Sequence, residues 1–105
     1  MMLQFLFILL LLFSPNVNVN AEGNQYCSVN GIKLYGKVQF VSSFSDIKIK
    51  YVSAFPDLKV QFVSSFPNHC GQWQRVQSFP DFKVQVVSSL PNITIQEVGS
   101  FPGMN

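Results

Sequence analysis

The residues best suited to chemistry in this 105-residue chain are one histidine and two cysteines. His69 stands directly before Cys70. A base beside a thiol can activate it as a nucleophile, so this pair is a candidate for catalysis. Cys27 offers another use for the same sulfur, because a disulfide with Cys70 would consume the thiol. Zinc sites usually take four ligands, more than these three residues supply. The pattern favours a structural cystine beside a turn histidine, and we predict no enzymatic activity.

Acidic and amide side chains recur at equivalent positions, where stacked turns could gather oxygen ligands for calcium. They are Asp46, Asp57, Asn68, Asp81 and Asn92. Turn formation accounts for these residue types without a metal, because Asp and Asn commonly bond the backbone of a turn. We therefore predict no metal site, no carboxylate pair for acid–base catalysis and no cofactor.

Lysines recur at one further position, with one more lysine two residues along. They are Lys37, Lys48, Lys59 and Lys83, with Lys50 as the addition. Such a row is typical of a solvated strand face that discourages edge-to-edge association. It is also a candidate binding face for an anionic glycan, lipopolysaccharide or single-stranded nucleic acid. The formal net charge of +2 is too small to indicate nucleic acid as a specific partner.

The acidic and amide residues each end one of six copies of a short phrase. The copies are Val41–Asp46, Val52–Asp57, Val63–Asn68, Val76–Asp81, Val87–Asn92 and Val98–Gly103. The aromatic position of the phrase recurs every 11 residues, with one step of 13. A fixed period indicates one structural unit stacked on itself.

The residues between the phrases alternate in polarity. Leu58, Val60 and Phe62 alternate with Lys59 and Gln61, which indicates a strand with one wet face. The period leaves about seven residues of strand and four of turn, too few for a helical crossover. We predict an all-β fold of six strand-turn repeats in one small compact domain. Periodicity alone favours an antiparallel barrel, a meander or a β-solenoid.

Each repeat contains two further local features, a break in the alternation and a turn. A valine such as Val63 breaks the alternation, which fits either a β-bulge or a strand end covered on both sides. The phrase then ends in a predicted turn, with proline at the second position of a type I turn and Asp or Asn bonding the local backbone. These repeat turns include Phe55-Pro56-Asp57, Phe66-Pro67-Asn68 and Phe79-Pro80-Asp81. The step of 13 holds a longer turn, which accommodates the cystine.

The N-terminus is typical of a signal peptide. The run Leu3–Phe13 is apolar except for Gln4, and Val19-Asn20-Ala21 offers a cleavage site, although no basic residue precedes the run. Residues 1–21 are the predicted signal peptide and residues 22–105 the single domain. We therefore predict a secreted or periplasmic protein with no transmembrane span in the mature chain. An oxidising compartment would allow the disulfide between Cys27 and Cys70.

With these repeats, the chain resembles the septoil knot domain family of small exported proteins. The matching motifs are Gly31–Val38, the tandem phrases, Cys70–Trp73 and Ser100–Gly103, so the resemblance covers residues 27–103. Ser45 and Leu90 depart from the phrase without threatening the fold. The resemblance implies a chain tied into a seven-crossing torus knot, and no activity or ligand. A knotted chain must unthread before it can unfold completely, so we expect its resistance to unfolding to be kinetic and to be measured as a slow unfolding rate.

The function expected from these observations is structural or binding, without catalysis. One polar repeat face would meet an extracellular or periplasmic partner, and the protein would be a monomer. A first alternative is a self-assembling extracellular fibre or matrix protein, since Val60–Val63 and Val84–Val87 combine strand propensity with low charge. A second alternative is a secreted toxin, antimicrobial or inhibitor scaffold that displays its turns.

Overall fold

The computed structural model describes residues 27–104, which form nine strands and no helix. The predicted signal peptide lies outside the described residues. The strands are β1 (Ser28–Val29), β2 (Ile32–Lys33), β3 (Gly36–Phe40), β4 (Ile47–Tyr51), β5 (Leu58–Phe62), β6 (Gln72–Arg75), β7 (Phe82–Val86), β8 (Ile93–Glu97) and β9 (Gly103–Met104). The all-β prediction is confirmed.

Six of these strands close into a parallel barrel. The order around the barrel is β6-β3-β7-β4-β8-β5, and β5 pairs with β6 to complete the circle. Outside the closed circle, β9 adds antiparallel to β5, and β1 pairs with β2 as a small hairpin. The antiparallel barrel and the meander that periodicity favours are therefore wrong.

A stagger between strands explains how short connections can join parallel strands. Val84 of β7 pairs with Phe40 at the end of β3 and with Ile47 at the start of β4. Strand β4 therefore begins at the height where β3 ended. The connection has only to step sideways past β7, so it needs neither a hairpin reversal nor a helix.

The order of strands interleaves two passes of the chain. Strand β7 lies between β3 and β4, and β8 lies between β4 and β5. The second pass thus fills gaps that the first pass leaves. Because the circle closes, both edges of these six strands are paired, which removes the edges through which strands usually aggregate.

The barrel interior is filled by the apolar residues of the alternation. Its central layer is fully buried and consists of Val38, Ile49, Val60, Trp73, Val84 and Ile95. Below Trp73 the chain uses Gly71, whose φ is +84°. A Cβ there would overlap the carbonyl oxygen of Lys59, so the close approach of the two backbones requires glycine.

The structure answers two questions that the sequence left open: the role of the repeated valine and the bond between the two cysteines. The barrel registers run residue for residue, so the valine of each repeat is not part of a bulge. The Val41 N–H donates to the Val84 carbonyl at 2.9 Å and its side chain is half-buried, which fits a strand end covered on both sides. The predicted disulfide between Cys27 and Cys70 is formed, with a Cα–Cα distance of 5.8 Å.

Candidate interaction surface on the barrel

Connections between strands cross the outer face of the strand that lies between them, and we call these crossings arches. The arch of residues 41–46 shows the geometry: Val41 and Asp46 each donate an N–H to β7, at 2.9 Å. The other arches are residues 52–57 over β8, 76–81 over β3, 87–92 over β4 and 98–102 over β5. Residues 63–71 differ, because they join the neighbouring strands β5 and β6.

Each of four arches is closed by a reciprocal pair of hydrogen bonds. The Asp81 N–H donates to the Lys37 carbonyl, and the Lys37 N–H donates to Asp81 Oδ2, both at 2.7 Å. The same arrangement joins Asp46 to Lys83, Asp57 to Thr94 and Asn92 to Lys48. The prediction that these side chains bond the local backbone is wrong, because the strand they bind is 37 to 44 residues away.

Outward-facing glutamines support the start of the arches. Gln85 donates from Nε2 to the Ser42 carbonyl at 3.0 Å. Equivalent bonds run from Gln39 to Gln77, from Gln61 to Gly99 and from Gln96 to Ser53. The alternation of lysine and glutamine is therefore more than solvation, because the glutamine holds the arch above it. Lys50 occupies this position on β4.

The lysines of the candidate binding face form a belt around the barrel. Lys37, Lys83 and Lys48 lie on the neighbouring strands β3, β7 and β4, with Lys50 also on β4, whereas Lys59 on β5 lies beyond β8. Four of the five therefore lie on three adjacent strands, and Lys59 is separated from them by β8 on one side and β6 on the other. Carboxylates are interspersed, because Asp81 and Asp46 bond the backbone of two of these lysines. The belt is accordingly mixed in charge.

The centre of each connection carries an exposed apolar residue, and we call these the tip residues. Their exposed fractions are 94% for Phe44, 95% for Phe55, 80% for Phe66, 91% for Phe79, 89% for Leu90 and 89% for Phe101. All have φ between 54° and 57°, in the left-handed region. That conformation costs a residue with a Cβ roughly 1–2 kcal/mol, and glycine or asparagine adopts it more readily.

Packing within the fold therefore does not account for the apolar tip residues. They gain little from burial and hold a backbone conformation that suits other residue types. Sequence reasoning places Phe55, Phe66 and Phe79 among turn residues and misses their exposure. A bulky apolar residue repeated at a fixed turn position, where Gly or Asn is usual, is the signal that could have shown it.

The carboxyl-terminal mouth of the barrel holds a second group that sequence reasoning misses. The Arg75 guanidinium lies 4.1 Å from the centroid of the Phe40 ring and 4.8 Å from that of Phe62. Burial raises the pKa of the Tyr51 hydroxyl; the charge and hydrogen bond of Arg75 lower it, and Glu97 raises it. Arg75 and Glu97 replace apolar residues at the last inward position of their repeats, which was the available signal. The members of this group contact one another and together cover the end of the core.

The residues first considered for chemistry are not assembled into a reactive centre. Cys70 is bonded to Cys27, and His69 beside it is exposed. Across residues 27–104, no three His, Cys, Asp or Glu side chains lie close enough together to hold a metal ion. Within the same residues, no helix of the length and apolarity needed to cross a bilayer is found.

Removal of one reciprocal bond tests how the arches are held. We expect Asp81→Ala to lower the free energy of unfolding by about 1 kcal/mol, because the Lys37 N–H loses its acceptor. Asp81→Asn keeps an acceptor oxygen and should cost less. Urea denaturation of both variants measures the difference, and equal stability of Asp81→Ala and wild type would contradict the role.

Comparison with known protein families identifies a match over most of the chain. The family model described as 7(1) septoil knot domain matches residues 31–105. None of the curated proteins matches the chain. The match agrees with the all-β barrel and with the repeats. The seven-crossing knot that the description implies stays a prediction, to be tested by the rate of unfolding.

Proposed function

The chain belongs to the septoil knot domain family, and we propose that it is an exported, non-catalytic binding protein. Its tip residues would contact an apolar surface of an extracellular or periplasmic partner. The observation that carries this proposal is the repeated placement of an exposed apolar residue at a left-handed position. Backbone strain kept at a repeated, exposed site points to a use outside the fold.

The way the tips are held supports binding. Each arch is bonded to the strand beneath it, and several have a glutamine support as well. A tip held in this way loses little freedom when it meets a partner, so less of the contact energy is spent on ordering. The disulfide between Cys27 and Cys70 supports export, because such bonds persist in oxidising compartments.

Substitutions at Phe55 test the proposal, because they separate the ring from the backbone strain. Phe55→Ala removes the ring and keeps the strain, whereas Phe55→Asn removes both. We expect both variants to bind more weakly to an octyl-terminated monolayer, measured by surface plasmon resonance. Only Phe55→Asn should also gain stability, by about 1 kcal/mol in urea denaturation.

A control replaces an exposed apolar side chain outside the tips by the same residue, asparagine. Val86 is 50% exposed at the barrel mouth, away from the tips. Val86→Asn should leave binding to the monolayer near the wild-type level. If both Phe55 variants instead unfold more readily than wild type, the ring serves the fold and the proposal fails.

The monomer and the self-assembling fibre make different predictions for the same protein. The segments Val60–Val63 and Val84–Val87 each extend one residue beyond the end of a barrel strand, and both of these strands are paired on both sides. Fibre formation through strand edges would therefore require the barrel to open. We propose a monomer, and light scattering that shows growth with concentration, abolished by Phe55→Asn, would instead assign the tips to self-assembly.

A further inference from the structure

A cleft of about 650 Å³ lies where the β1–β2 hairpin approaches the first residues of β3 and β7. Its volume is in the range of small-molecule binding sites. The connection between β5 and β6 supplies a further wall through Pro67 and Asn68. The tip residues take no part in it, so a ligand of this cleft would be independent of the proposed function.

The interior of the cleft is largely apolar. Phe82 is buried at its base, and Ile32, Tyr35 and Pro67 are half-buried around it. Ile32 and Tyr35 pack against the barrel core. Such a surface can take an alkyl or aromatic body out of water.

The charges of the cleft are predominantly positive. Lys33 and Lys37 line it and are exposed. The carboxylate of the lining, Asp81, already accepts a hydrogen bond from the Lys37 N–H at 2.7 Å. Two ammonium groups beside one partly engaged carboxylate favour an anion.

The hairpin that forms one wall is held in place. Leu34 donates its N–H to the Cys27 carbonyl and accepts one from Gly71, both at 3.0 Å. The disulfide joins Cys27 to Cys70 on the same side of the barrel. The cleft therefore exists before a ligand arrives, which lowers the cost of binding.

We propose that this cleft binds one amphiphilic organic anion, a small molecule with an apolar body and a single acidic group. The apolar body would cover Ile32, Tyr35 and Phe82. Its carboxylate, or a sulfate or phosphate in the same place, would interact with the ammonium groups of Lys33 and Lys37. Neither the apolar body nor the acidic group of the ligand alone provides both kinds of contact.

Three probes test the two halves separately on the oxidised protein. Octanoate has both parts, octanol lacks the charge and acetate lacks the apolar body. We expect octanoate to bind at one site, at least tenfold more tightly than octanol or acetate, in isothermal titration calorimetry. Amide NMR signals of Gly31, Gly36 and Lys37 should shift on binding, whereas those of the arch at residues 52–57 should not.

Substitution of the lysines completes the test. Lys33→Gln with Lys37→Gln should weaken octanoate binding at least tenfold while the thermal unfolding temperature stays near wild type, since the backbone N–H of Lys37 is kept. The matched control, Lys48→Gln with Lys50→Gln, removes the same charge elsewhere and should bind normally. Equal binding of octanol, shifts confined to the arches, or binding only to anionic vesicles would overturn the proposal.

Discussion

Replacement of Trp73 by alanine is expected to lower the free energy of unfolding by about 3–5 kcal/mol. Trp73 is fully buried in the central layer of the barrel. Its ring centroid lies 5.6 Å from that of Phe82 and 6.2 Å from that of Phe62, both edge-on. Its indole N–H donates to the Leu34 carbonyl at 3.1 Å. Alanine would lose these contacts and leave a cavity that closed strands cannot readily fill.

Urea denaturation followed by circular dichroism measures this loss in the oxidised protein. Trp73→Phe retains much of the volume, and the Leu34 carbonyl keeps its bond from Gly71, so a loss of about 1–2 kcal/mol is expected. Val86→Ala is the control, because Val86 is half-exposed and should change stability little. A cost below about 1 kcal/mol for Trp73→Ala would contradict a core centred on this residue.

Loss of the disulfide should be of similar size. Cys27 and Cys70 are separated by 43 residues, and closing such a loop is worth about 4 kcal/mol in the chain-entropy model. We expect the variant Cys27→Ser with Cys70→Ser to be less stable by about that amount, because its unfolded chain regains the freedom that the bond removes. The hairpin that carries Cys27 should loosen first, since its own pairing is only two residues per strand.

The reduced wild type provides the comparison. Reductant should lower its stability to that of the double serine variant and should leave the variant itself unchanged. Alkylation followed by mass spectrometry reports whether the thiols are free in each sample. A wild type that is equally stable with and without reductant, with its thiols shown to be free, would refute the role of the bond.

Much of the barrel interior follows from the sequence. The alternation of Leu58 and Val60 with Lys59 and Gln61 identifies inward and outward positions correctly, because successive side chains of any strand point to opposite faces. The period identifies the repeats, and the two cysteines indicate their bond. None of these inferences depends on which strands are neighbours.

The candidate sites depend on neighbours and could not be predicted in the same way. Asp81 looks like a turn residue in the sequence, yet its acceptor atom binds Lys37, 44 residues earlier. Phe55 also looks like a turn residue in the sequence, yet its exposure follows from an arch that lies outside the barrel. The cleft combines the hairpin with β3 and β7, which only the closed barrel brings together.

The sequence by itself determined that this protein is a stack of short strands with one apolar face, stapled by one disulfide. Only the tertiary structure decided that the strands are parallel and interleaved, since the same alternation serves a strand in either direction. The deciding factor is the stagger that pairs Val84 with both Phe40 and Ile47. That stagger arises from contacts between distant repeats, and a pattern read along one repeat contains no information about them.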